Sequence, residues 1–149
     1  MRVALDTSAL MMPVELDVRL FDELERLLDA PRASERASGD EPRAGDEPRA
    51  GGYTAIVPQA VVEELRKLAD TGGGVEATAA SVGADLAVER CERVDTEASY
   101  ADDALVELAT DGRVDAVVTN DRPLRDRVLD ASVPVIALRG TNKLDITRP

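Results

Sequence analysis

At 149 residues and 44% hydrophobic content, the chain can bury one core but not two comfortable ones, and its three aromatic residues, Phe21, Tyr53 and Tyr100, leave that core to Val, Leu, Ile and Ala. No apolar run nears the roughly 20 residues of a membrane span, and the opening MRVALDTSAL, with an acid at its sixth position, makes a poor secretory leader, so a soluble, cytoplasmic protein with no membrane partner is expected. One cysteine, Cys91, and no histidine exclude an internal disulfide, multi-cysteine or histidine zinc sites, Ser-His-Asp triads and histidine acid–base pairs.

Residues 3–6 read as a short apolar strand ending in an acid. Leu16, Leu20, Leu24, Leu27 and Leu28 then recur at helical spacing and predict an amphipathic helix. The pattern breaks at residues 31–52. The hexapeptide GDEPRA stands there twice in tandem, at 39–44 and 45–50, with almost no large apolar side chain, so a disordered insertion is expected. Residues 54–57 read as a second strand, and Pro58 suits the first turn of a helix running to about Ala69. Gly72, Gly73 and Gly74 interrupt, an alanine-rich helix follows to about Glu89, and residues 91–94 read as a short strand. A helix beginning at Ser99 ends near Gly112, and buried strands at 114–119 and 134–138 flank a helix over 122–129. This alternation predicts a single α/β domain over residues 1–149, a three-layer parallel sheet with helices on both faces. Ligands of such sheets gather at the carboxyl ends of the strands.

The net charge of -12 runs against a nucleic-acid partner. Lysine occurs only at 67 and 143 while arginine supplies the other sixteen positive charges, an acid-rich and lysine-poor balance that suggests a salt-adapted source. Residues 120–149 carry six basic side chains against four acids, so that segment is +2 and the other 119 residues are -14. The asymmetry suits a phosphate-contacting face and an ordinary solvated helix and tail about equally.

No Walker-type phosphate loop and no G-x-G-x-x-G after the first strand is present, and Cys91 has no imidazole partner, so a buried strand cysteine is its better reading. Reactive groups must then be carboxylates, hydroxyls, arginines or lysines, and carboxylates produce hydroxide near neutral pH when they hold Mg²⁺ or Mn²⁺. Four acids stand where a crevice above the sheet would lie. Asp6 ends the first strand; its bland reading is a helix cap with Thr7 and Ser8. Glu64 borders the apolar stripe of its helix while Glu63 points away; a solvated glutamate is the alternative. Asp102 borders the buried face of its helix while Asp103 points away, and Ser99-x-x-Asp102 also matches a capping box. Asp121 follows the strand predicted most strongly, residues 114–119, as Asp6 follows the first, and it too could be a cap. Convergence of all four would require a cation between them.

The segments LDTSAL at 5–10, VPQAVVEEL at 57–65, ADDAL at 101–105 and VVTNDRPL at 117–124 resemble, in order and spacing, the PIN-domain nucleases, named after the PilT amino terminus. The resemblance covers everything but the 31–52 insertion, which departs from the usual pattern. It implies a parallel-sheet fold, Mg²⁺ or Mn²⁺, endonucleolytic cleavage of an RNA substrate, and Asp6, Glu64, Asp102 and Asp121 as the metal-holding catalytic quartet. Thr119 matches the family's hydroxyl residue beside the last acid. The runs YADDALVELA and VPVIALRGTNKLDI look closest to an archaeal branch related to the rRNA-processing PIN endonucleases. Toxin-type PIN ribonucleases share the quartet, and a non-catalytic RNA-binding assembly factor could keep the fold. A homodimer, and an inhibitory or assembly partner protein, are compatible with these readings. Asp103 is a candidate for assisting the site from behind it, and Arg122, Arg125 and Lys143 for gripping the RNA backbone. Aspartate-phosphorylating folds fit less well: a dehalogenase-type phosphatase wants an acid where Ser8 stands, and a signal receiver wants an acidic pair before the first acid's strand.

Overall fold

The computed structural model describes residues 1–29 and 52–149; the tandem GDEPRA repeats, and with them the expected insertion, lie outside the described residues. In chain order the elements are β1 (Arg2–Leu5), α1 (Thr7–Glu15), α2 (Leu20–Asp29), β2 (Thr54–Pro58), α3 (Gln59–Thr71), α4 (Gly74–Arg90), β3 (Glu92–Val94), α5 (Ala101–Thr110), β4 (Ala116–Val118), α6 (Arg122–Asp130), β5 (Val135–Arg139) and β6 (Lys143–Thr147). The strands pair in the order β3-β2-β1-β4-β5-β6, parallel everywhere except between β5 and β6. Val3, Ala4 and Leu5 are fully buried, as are Ala116, Val117 and Val118. Consecutive residues of a strand face opposite ways, so helices cover both faces of the centre of this sheet, as its unbroken apolar runs require.

Two strand successions diverge from the middle: β1 to β2 to β3 runs one way, β4 to β5 to β6 the other. The boundary between β1 and β4 is therefore the topological switch point, where loops leaving adjacent strand ends part and open a crevice. In the register there, Leu5 lies beside Val118, which brings Asp6 and Thr119 out of the sheet at the same level.

The α/β fold with a mostly parallel sheet is as expected; two expectations need correction, and one strand was not foreseen. The leucine-spaced helix is two helices, α1 and α2, separated by Asp17 at φ 53. Leu16 lies at the end of α1 with 46% of its surface exposed, while Leu20 and Leu24 are buried. The leucine spacing runs across a break because α1 ends at Glu15 and Asp17 takes a positive φ before α2 begins at Leu20. Ser99 does not cap α5, whose N-cap is Tyr100 without a side-chain bond. Finally, β6 returns antiparallel on the sheet's edge, where its short run buries Leu144. The helix expected to end near Gly112 does so because Gly112 takes φ 68, a left-handed turn that returns its N–H to the Ala109 carbonyl. Among the described residues no helix is long and apolar enough to cross a membrane.

Candidate active site

Asp6 is only 3% exposed, and its carboxylate is held from several sides. The Ala9 N–H donates to Oδ1 at 2.7 Å, the Ser8 hydroxyl donates to both oxygens at 2.8 and 2.9 Å, and the Thr119 hydroxyl donates to Oδ2. Burial nevertheless pushes the carboxyl up to about 6, against the lowering effect of these donors, and the charge of Asp102 adds to the rise. Asp6 is thus both a helix cap and a strained anion.

Thr119, fully buried, ties Asp6 to the next strand end, because its Oγ1 also accepts from the Asp121 N–H at 3.0 Å. Asp121 in turn caps α6, its Oδ2 accepting from the Leu124 N–H at 3.1 Å. Asn120 closes the junction: its N–H donates to the Ser8 hydroxyl at 3.2 Å and its Oδ1 accepts from the Leu138 N–H at 2.9 Å. The sequence LDTS meets the sequence VVTND across the switch point, and each short motif supplies donors to the other.

Glu64 and Asp102 reach the site differently. Along α3, Val61, Val62 and Leu65 are buried in the core. The adjoining stripe of Ala60, Glu63, Glu64 and Lys67 walls a cavity of about 730 Å³, whose other wall includes Asp102 and Arg127. Positions 60, 63, 64 and 67 share one helix face; Glu63 is exposed, opposite the buried stripe as expected, and it lines the cavity beside Glu64, as does Asp103. Bonding separates the second pair. Asp103 is engaged by Arg127 at 2.9 Å, whereas Asp102 accepts no hydrogen bond and makes no ion pair among the described residues. Its carboxyl is raised, first by partial burial and then by the Asp121 charge, with Asp103 adding and Arg127 opposing. Asp102 therefore senses both Asp6 and Asp121 electrostatically.

The structure brings Asp6, Asp102 and Asp121 into one field and lines a single cavity with Glu64 and Asp102. It does not close them into a cage: among the described residues no three acids, cysteines or histidines stand close enough to form a metal-binding group. Of the expected backbone-gripping residues, Arg125 pairs with Asp126 at 3.3 Å, Lys143 borders a separate hollow with Arg26 and Arg139, and Arg122 is exposed; none lines the cavity. The cations that do are Lys67 and Arg127, which sequence reading did not single out; Lys67 stands one turn beyond Glu64, and that spacing was the available signal. Cys91, half-buried before β3, has its thiol pushed up to about 12 by burial, which leaves it unreactive.

A family model described as a PIN-like domain matches residues 3–34 and 47–141. No curated protein matches the chain significantly. Among solved structures, the chain is similar to the PIN domain endonuclease Utp24, with 22% identity and a TM-score of 0.69 over 99% of this chain and 92% of that one. It is also similar to a domain of a functionally unknown protein from Methanocaldococcus jannaschii DSM 2661, with 16% identity and a TM-score of 0.55 over 95% and 94% of the two chains. At such identities the likeness is one of fold, and the family match is what extends it to this sequence. Since that match runs from Val3 in β1 through β5 and takes in Asp6, Glu64, Asp102 and Asp121, the chain belongs to the PIN-like domain family.

Proposed function

We propose that this chain is a divalent-metal-dependent endoribonuclease, with Asp6, Glu64, Asp102 and Asp121 as its metal-holding acids. The observation that carries the reading is Asp102: a carboxylate with no cap, hydrogen bond or ion pair among the described residues, facing a cavity and repelled by a neighbouring aspartate. Exposed acids often lack a protein partner, but one whose charge is opposed by neighbouring aspartates, as that of Asp102 is by Asp121 and Asp103, suits a cation. The donor set fits such an ion. All four ligands are hard oxygens, and Mg²⁺ needs only one or two carboxylates because it keeps several waters.

A bound divalent cation would supply Lewis acidity, acidifying water and offsetting charge on the scissile phosphate. The protein's share is positional. Ser8, Ala9 and Thr119 fix both Asp6 oxygens, and the Leu124 amide fixes Asp121, so neither acid has to be oriented when substrate arrives. Asp102 and Glu64 face the cavity in which the phosphodiester would lie, and Lys67 and Arg127 offset charge along its wall. The reaction is hydrolysis, in which water adds to phosphorus and one ester oxygen departs in line with it. Utp24 is an endonuclease, and an rRNA-maturation role for this chain belongs to the same proposal.

Cleavage of single-stranded RNA with Mn²⁺ should disappear in Asp6→Asn and in Asp102→Asn, while circular dichroism stays native. Full activity in both variants would remove the mechanism. RNA binding without cleavage by the unmodified chain at saturating Mn²⁺ would favour an assembly factor instead.

A further inference from the structure

Tyr100 breaks the pattern set by the other aromatics. Phe21 is buried, with Arg90 stacked 4.3 Å from its ring centroid, whereas Tyr100 is 76% exposed. Its backbone is nevertheless fixed: it is the N-cap of α5, and its carbonyl accepts from the Ala104 N–H at 2.9 Å. The next residue, Ala101, is 7% exposed and anchors that helix start in the core. An open ring on a rigid mount thus stands at the lip of the 730 Å³ cavity, two residues before Asp102. Lys67 lines the same cavity and has no ion pair among the described residues, while Arg127 is neutralised by Asp103 at 2.9 Å.

Resting on the ribonuclease reading, we infer that Tyr100 and Lys67 form the subsite for one unpaired nucleotide beside the scissile bond, its base stacked on the Tyr100 ring and a phosphate held by Lys67. The cavity's size suits a ligand of that scale. Stacking on an aromatic face is how proteins hold unpaired bases without reading their sequence. A base inside a duplex offers no free face, so the subsite selects single strands. An apolar protein segment fits less well, because acids and cations make up much of the wall.

The test is binding of a short labelled RNA by fluorescence anisotropy with Mg²⁺ present, in an Asp6→Asn background. That change is expected to silence cleavage, and Asp6 lies outside the cavity wall. Tyr100→Leu and Tyr100→Ala should weaken single-strand binding roughly 5- to 100-fold, and Tyr100→Phe should not. Lys67→Gln should lower the dependence of log affinity on log salt by about 0.7. A duplex of the same sequence should be indifferent to Tyr100→Leu. Tight binding by the Leu variant, loss in the Phe variant, an unchanged salt slope or an equal loss on duplex would each overturn the subsite. Cleavage by the unmodified chain is scored separately. Cleavage with Tyr100-independent binding removes the inference alone, and Tyr100-dependent binding without cleavage removes the nuclease reading alone.

Discussion

A carboxylate enclosed by protein keeps its proton longer than one in water, and Asp6 is so enclosed. Its folded-state value of about 6 lies above the ordinary 3.8, so unfolding releases a proton across that window. Stability in metal-free solution should therefore fall as pH rises between about 4 and 6, by roughly 3 kcal/mol from this group. Asp6→Asn keeps a capping residue and removes the titration, so its denaturation midpoint should lack that decline; parallel pH profiles for the two proteins would refute this. The neighbouring threonines make a second contrast. Thr7 Oγ1 is buried without a hydrogen-bond partner among the described residues, so Thr7→Val should be neutral or stabilise by up to about 1 kcal/mol. Thr119→Val strips a donor from Asp6 and an acceptor from the Asp121 N–H and should cost about 1–3 kcal/mol. Urea midpoints of the two variants, shifting in opposite directions or only in Thr119→Val, check both. Asp6 and Asp121 were legible in the sequence because an acid ending an apolar run is a local signal. Lys67 and Tyr100 were not singled out: the one-turn spacing from Glu64 was the sole signal for Lys67, and an exposed ring such as that of Tyr100 leaves no periodic trace.

The elements most readable from sequence were those whose burial is continuous or regularly spaced. β1, β2, β4 and β5 are short apolar runs covered on both faces, and α3 carries Val61, Val62 and Leu65 on one side. The break between α1 and α2 was hidden because leucine spacing carries across a residue at positive φ, and β6 was hidden because a five-residue edge strand need bury only one face. α4 is a different case: its buried positions are Ala79, Ala80, Gly83 and Ala87, so small side chains rather than large ones mark its contact face. Their smallness has a purpose at Gly83, where an added Cβ would stand 2.9 Å from the Leu10 carbonyl oxygen of α1. Alanine would gain about 1 kcal/mol of helix propensity, but the obstacle is backbone, which cannot rotate aside, and overpacking costs about 1–3 kcal/mol. Gly83→Ala should lower the melting temperature in spite of propensity. Because α1 is the helix capped by Asp6, the substitution should also reduce the proposed nuclease activity; a raised melting temperature would show that the two helices part freely.

A net charge of -12 on a chain of this size means self-repulsion, which monovalent salt relieves by shortening the Debye length from about 10 Å at 0.1 M to about 3 Å at 1 M. Stability should accordingly rise with sodium chloride, through the whole surface and without preference for any residue. A divalent ion acts through the same screening and, at the proposed site, through a second route. Ligand that binds only the folded state adds RT ln(1 + [L]/Kd), about 2.7 kcal/mol at a hundredfold excess over Kd. The two routes separate at matched ionic strength, where Mg²⁺ or Mn²⁺ should raise the melting temperature beyond sodium. The excess should be larger at pH 7 than at pH 5, because below about 6 the Asp6 carboxyl holds a proton that competes with metal. Asp102→Asn should erase the excess while leaving the sodium response intact, since it removes one charge among many from the surface but the unpaired acid from the cavity. An excess that survives in Asp102→Asn would mean that the ions gather diffusely on an acidic surface, and the acids around the switch point would then need an explanation other than metal.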